Sequence, residues 1–201
     1  MSFPILGLTG PSGAGKGVVA ARLRDAHGFA WIDTDAIYHT LTNAPSACLS
    51  ELEKAFGKGV ITPDGRLDRP ALAAIVFASD AKDQLLLLNR ITHKHVLAVA
   101  DGQIAAAKAA NAAGAVIDAP LLFESGADKT CTHTAAVLAD RELRASRIMA
   151  RDGLTYQAAQ KRLDAQKPDE FYTERADFVL ENSGDVNALL ALADALAKEL
   201  V

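Results

Sequence analysis

The chain predicts an α/β fold in which five short parallel strands form a sheet flanked by helices, and three observations carry that prediction. Apolar runs alternate with helical stretches along the 201 residues, the pattern of a parallel sheet covered on its faces. A glycine-rich loop, GPSGAGK at 10–16, stands directly between an apolar strand and a helix. A mostly helical block at 36–112 separates the second strand from the third and is much longer than a crossover needs.

Taken in order, PILGLT (4–9) and FAWIDT (29–34) read as strands around a helix near 16–26. AVIDAP (115–120), TAAVLA (134–139) and DFVLEN (177–182) supply three more. Within the long block, ALAAIVFA, QLLLLNRITHKHVLAVA and the Ala-rich GQIAAAKAANAAGA read as helices packed over one end of the sheet. Open α/β sheets bind ligands beyond the carboxyl ends of their strands, so this block is expected to cover a substrate. The expected organisation is one domain: a core of 1–35 and 113–201, a helical subdomain of 36–112, and a lid at 147–166.

Half of the residues are hydrophobic, enough to bury a core, and the formal net charge is −4. That balance gives no general attraction to nucleic acid or to anionic membranes, so small molecules are the expected partners. Cys48 and Cys131 lie far apart and without metal-type spacing, and read as buried, reduced thiols. The first residues lack a basic signal region and no segment reaches the length of a membrane span. A cytoplasmic protein is expected.

In the loop, Gly10, Gly13 and Gly15 let the backbone curl with its N–H groups inward, and Lys16 reaches the β and γ phosphates of a nucleotide. Ser12, Gly13, Ala14, Gly15, Lys16 and Gly17 thus form the expected nucleotide site. Gly17 stands where such loops usually carry the Ser or Thr that ligates magnesium, and Val18 restores no hydroxyl. Mg²⁺ can also be held through carboxylates, water and phosphates. Asp33 and Asp35, at the end of the second strand, are the candidates; the competing reading is that one of them caps the next helix.

A second constellation is basic. Arg147 and Arg151 are four apart, hence on one helical face, and Arg162 returns after a DGLT turn. Such a hairpin suits a lid that neutralises transferring phosphate; the competing reading is a solvated basic face, which Arg144 and Lys161 fit better.

Together, GLTGPSGAGK, IDTD, DGRLDRPALAAIVF, APLLFE, SRIMARDGLTYQAAQKRLDAQ and ADFVLENSG make the chain resemble the dephospho-coenzyme A kinases over nearly its whole length. The resemblance implies a P-loop kinase fold with a substrate subdomain and a lid. It also implies ATP and Mg²⁺ as cofactors, and transfer of the γ-phosphate to the ribose 3′-hydroxyl of dephospho-coenzyme A. It places the proposed base on Asp35 and Arg151 on the phosphates that Lys16 of the loop also reaches; Asp33 is the candidate for the metal. Arg147 falls near adenine, and Asn182, Ser183 and Gly184 form the turn that holds adenine through backbone groups. THKHV (92–96) departs from the family's His-Pro, and His93 reads as structural.

Two other readings stay open. GPSGAGKG and IDTDAIYHTLT are similar to cytidylate kinases, but Asp35 replaces that family's glycine and no match to its later substrate segments follows. A nucleotide-dependent switch or binding module would need a guanine-reading N/T-K-x-D segment, which is absent from the sequence.

Overall fold

The computed structural model describes residues 3–78, 81–182 and 184–200. Five strands form one parallel sheet: β1 (Ile5–Thr9), β2 (Phe29–Asp33), β3 (Gly114–Asp118), β4 (His133–Leu138) and β5 (Phe178–Glu181), in the order β2-β3-β1-β4-β5. β1 is central, in register with β3 at Ile5↔Ala115 and with β4 at Leu6↔His133. All five residues of β1 are buried, as expected for a strand covered on both faces. Strands and helices flank one another as the sequence predicts, and each expected strand is found within a residue or two of its quoted segment.

The described residues form two compact units: the described parts of 1–32 and 104–201, and 33–103. In the first, α1 (Lys16–His27) and α10 (Val186–Leu200) pack on the sheet, joining Val19 and Leu23 to Leu6, Leu8, Val116 and Val137, with Leu189 and Leu196 closing the cluster. Arg22 and His27 of α1 both reach Asp194 of α10, at 2.7 Å each. α1 stops at Gly28, whose left-handed backbone (φ 70°) turns its N–H back to the Arg24 carbonyl. α7 (Arg141–Asp152) and α8 (Tyr156–Asp164) make a hairpin held by its own small core of Ala145, Ile148, Ala159 and Leu163.

In the second unit, α2 (Thr34–Asn43), α3 (Ala47–Phe56) and α4 (Arg69–Val76) begin at side-chain caps. Asp33, Ser46 and Asp68 each accept the N–H three residues on, at 2.9 Å. Each cap satisfies a donor the helix cannot use itself. Cys48, Leu52, Val60, Leu72 and Ile91 form this unit's core. The helices read separately at 84–100 and 102–115 are one helix, α5 (Lys82–Ala109). Gly102 costs about 1 kcal/mol against alanine in a helix interior, too little to break a run otherwise rich in alanine and leucine. Residues 92–96 continue within it without a new start, and the boundary between the two units falls inside it.

One other expectation changes. Cys48 is buried, but Cys131 is only partly so; both are free. Burial and the nearby Asp128 push the Cys131 thiol up to about 12. Among the described residues, no helix is long and apolar enough to cross a membrane.

Candidate active site

The glycine-rich loop leaves the carboxyl end of β1, where Thr9 Oγ1 donates to the Pro120 carbonyl at 3.3 Å and ties the strand end to the segment after β3. Two glycines let neighbours approach where a side chain would block them. Gly13 (φ 82°) lies against α7, and a Cβ there would stand 2.8 Å from the Arg144 carbonyl oxygen. Gly15 (φ 111°) caps α1, and a Cβ there would meet Asn182 Nδ2 at 2.5 Å. The first N–H groups of α1 have no intrahelical acceptors, so the loop and helix start form an anion cradle. Lys16 folds over this cradle, donating from Nζ to the Gly10 carbonyl at 2.8 Å.

Asn182, buried at 4% exposure, braces the loop from behind. Its Nδ2 donates to the Ala14 carbonyl at 2.7 Å, while its Oδ1 accepts from Gly184 N–H and from Arg147 Nη2, both at 3.2 Å. The turn after β5 is expected to hold adenine through its backbone; what the structure shows is the Asn182 side chain bonded to the loop, to Gly184 and to Arg147. Ser183 of that turn lies outside the described residues.

Arg147 also donates from Nη1 to the Gly13 carbonyl at 3.1 Å, so its guanidinium spans loop and turn. One helical turn further, Arg151 grips Asp152 with Nε and Nη2, at 2.7 and 2.8 Å, and its Nη2 stands 3.5 Å from Ser12 Oγ. Arg162 returns on α8 to the same carboxylate, Nη1 to Oδ2 at 2.7 Å. The paired guanidinium of Arg151, then that of Arg162, hold the Asp152 carboxyl below the ordinary carboxylate range. The structure therefore brings Arg147 and Arg151 to the loop, and Arg162 to the carboxylate that Arg151 holds.

Arg144 overturns an expectation. It is not on a solvated face: at 8% exposure it lies inside, its Nη2 3.6 Å from Asp169 Oδ1 at the start of α9 (Asp169–Thr173). Arg144 shares the face of Ile148, four residues on, and that apolar neighbour was the overlooked signal. Lys161 is exposed, as read.

In the second unit, Asp33 Oδ1 accepts the Ala36 N–H at 2.9 Å, so this acid does cap α2. Asp35 is exposed in the first turn of α2. On the same unit Arg69 Nη2 donates to Thr42 Oγ1 at 3.0 Å and meets His39 Nδ1 at 2.9 Å, a basic cluster the sequence reading passed over. Gly17 differs from the other loop glycines: a Cβ there would meet nothing within 4 Å. Among the described residues no three His, Cys, Asp or Glu side chains form a metal-binding group.

A parallel sheet that carries such a cradle between its central strand and the next helix, faced by an arginine-bearing hairpin, is the architecture of the P-loop kinases. Comparison with known proteins narrows the class. The family model for dephospho-CoA kinase matches residues 4–188. A dephospho-CoA kinase of Corynebacterium efficiens is 40% identical over 98% of this chain and 96% of its own. The crystal structure of TT1252 from Thermus thermophilus superposes with a TM-score of 0.82 at 34% identity, covering each chain completely. A dephospho-CoA kinase from Campylobacter jejuni gives 0.68 at 26%, over 98% of each chain. The chain belongs to the dephospho-CoA kinase family, and it is a kinase of P-loop fold.

Proposed function

We propose that this chain transfers the γ-phosphate of ATP to the ribose 3′-hydroxyl of dephospho-coenzyme A, working in the cytoplasm on small molecules, without nucleic acid or membrane. The observation that carries the reading is the cradle of Ser12–Gly17 with the Lys16 ammonium folded over it. Backbone N–H groups and a helix start suit a polyphosphate, and the lysine adds a point charge for the β and γ groups. Arg151 is assigned to the charge that develops on the transferring phosphoryl, and Arg147, Asn182 and Gly184 to the adenine side. Residues 36–112 are assigned to the acceptor. Asp35 is assigned to accept the proton of the attacking hydroxyl.

Magnesium, if bound with the nucleotide, would neutralise phosphate charge there. The residues present fit it in a particular way. Gly17 offers no hydroxyl but has open space where a Cβ would stand; Asp33, which caps α2 through Oδ1, is assigned to a metal-bound water. An ion that retains most of its waters needs no more protein than that.

The test is an incubation with ATP and Mg²⁺ and, separately, dephospho-coenzyme A, CMP or no acceptor, following ADP. ADP formed only with dephospho-coenzyme A supports the proposal. Formation with CMP alone would move the chain to the nucleoside monophosphate kinases, and formation without any acceptor to a hydrolysing module.

A further inference from the structure

Gln166, two residues beyond α8, touches the phosphate loop directly. Its Oε1 accepts the backbone N–H of Ser12 at 2.9 Å, and its Nε2 donates to the Arg162 carbonyl at 3.2 Å. The two bonds fix the amide's orientation, because an N–H needs the oxygen and a carbonyl needs the nitrogen. Arg162 then holds Asp152, Asp152 holds Arg151, and Arg151 comes back to Ser12 at Oγ. Both ends of the lid hairpin thus converge on one loop residue, 154 positions from Gln166 and 139 from Arg151.

We propose that Gln166 is a positioning residue: by holding the Ser12 N–H it closes the ring Ser12–Gln166–Arg162–Asp152–Arg151, which keeps the guanidinium groups of Arg151 and Arg162 at the phosphate end of the loop. The proposal rests on the phosphoryl-transfer reading above. Arginine side chains carry substantial rotamer entropy, and a single carboxylate on the lid would orient them relative to each other but not to the loop. Gln166 supplies the missing reference because it bonds to loop backbone, which no side-chain motion can move. It touches neither reactant in this account and acts through the arginines.

The variant Gln166→Met keeps length and removes both bonds, while Gln166→Glu keeps only the acceptor for Ser12. Two readouts are needed. The first is hydrogen exchange of the Ser12 amide in the full-length protein without nucleotide, read by NMR. A net hydrogen bond worth about 1 kcal/mol corresponds to roughly fivefold, so exchange should quicken by about that factor in Gln166→Met and stay near wild type in Gln166→Glu. The second is kcat for dephospho-coenzyme A, in a cycle with Asp152→Asn. Gln166→Met should lower kcat about tenfold with little change in KM for ATP, and should add little once Asp152→Asn has opened the ring. A merely structural role would not produce that non-additivity.

Unchanged Ser12 exchange in Gln166→Met overturns the proposal whatever the activity. Faster exchange with kcat losses that simply multiply overturns the positioning role. If the wild-type protein leaves dephospho-coenzyme A untouched, the functional reading fails, and the same cycle is then read on the acceptor or hydrolysis reaction found in its place.

Discussion

Arg144 and Asp169 pair at 3.6 Å from inside the fold outward: the arginine is 8% exposed, and its backbone carbonyl lies where a Cβ on Gly13 would collide. Arg144 therefore supports the wall against which the phosphate loop rests. Its stem contributes packing as well as charge, so Arg144→Ala should destabilise the protein by about 2 kcal/mol. For a chain of this size that is a fall in melting temperature of roughly 4–8 °C, measurable by thermal unfolding. A melting curve coincident with wild type would show that the side chain's burial is energetically idle. The neutral control for lid experiments is Lys161→Ala, on the exposed side of α8.

Arg147 and Arg151, four residues apart, are expected to fail differently. Arg147 is anchored to Gly13 and Asn182, so Arg147→Ala should loosen the nucleotide side of the site and mainly raise KM for ATP. Arg151 is held by Asp152 and meets the loop only at a long contact, its Nη2 3.5 Å from Ser12 Oγ. Arg151→Ala should mainly lower kcat, by about 10²-fold, the scale of one lost charge-stabilising donor. Steady-state kinetics separate the two; small, equal effects would favour a solvated basic face.

How far the sequence speaks for the site depends on the range of the interaction. The strands, the cradle and the Arg147/Arg151 spacing are local patterns, and the structure repeats them. The ring through Gln166 and the brace from Asn182 join residues more than 150 positions apart, and no periodicity encodes such a meeting. Arg144 lies between these cases. Its position relative to Ile148 was readable, but basic character suggested solvent where the fold supplied Asp169.

The pairing of α1 with α10 gives a pH dependence of known sign. Hydrogen bonds from Arg22, then His27, hold the Asp194 carboxyl well below the usual carboxylate range. A group with a depressed folded pKa contributes stability above its unfolded value, near 4, and loses it as pH falls toward the folded value. Denaturant unfolding should therefore show Asp194→Asn less stable than wild type at pH 7, with the gap narrowing below about pH 4. A gap independent of pH would mean the aspartate acts through packing alone.

Gly17 supports a gain-of-ligand test. A Cβ at this position meets nothing within 4 Å and α1 continues normally through it, so Gly17→Ser should fold as wild type. The added hydroxyl stands where P-loop enzymes usually ligate magnesium. The concentration of Mg²⁺ giving half-maximal rate should fall, by roughly threefold to tenfold if the new ligand contributes about 1 kcal/mol. An unchanged titration would mean that the metal never approaches this residue.

The assignment of the two acids on either side of Thr34 can be separated by charge removal at constant shape. Asp33 already caps α2 through Oδ1, so Asp33→Asn retains an acceptor for the cap, keeps the helix start, and removes only the charge proposed to serve a metal-bound water. Its losses should appear in ATP affinity and be partly recovered by added Mg²⁺. Asp35 stands in the first turn of α2 and makes no part of that cap. A ribose hydroxyl is a poor nucleophile whose proton must leave as the phosphoryl group arrives, and a carboxylate within hydrogen-bond reach can orient it and take that proton. Asp35→Asn should therefore lower kcat by about 10²- to 10⁴-fold, the usual contribution of a general base, with ATP affinity nearly unchanged and no recovery by Mg²⁺. The discriminating experiment is calorimetric ATP binding beside single-turnover transfer at two Mg²⁺ concentrations, for both variants. Normal transfer by Asp35→Asn with an inactive Asp33→Asn would reverse the two roles, placing the proton acceptor at the end of β2 and the metal at the start of the helix.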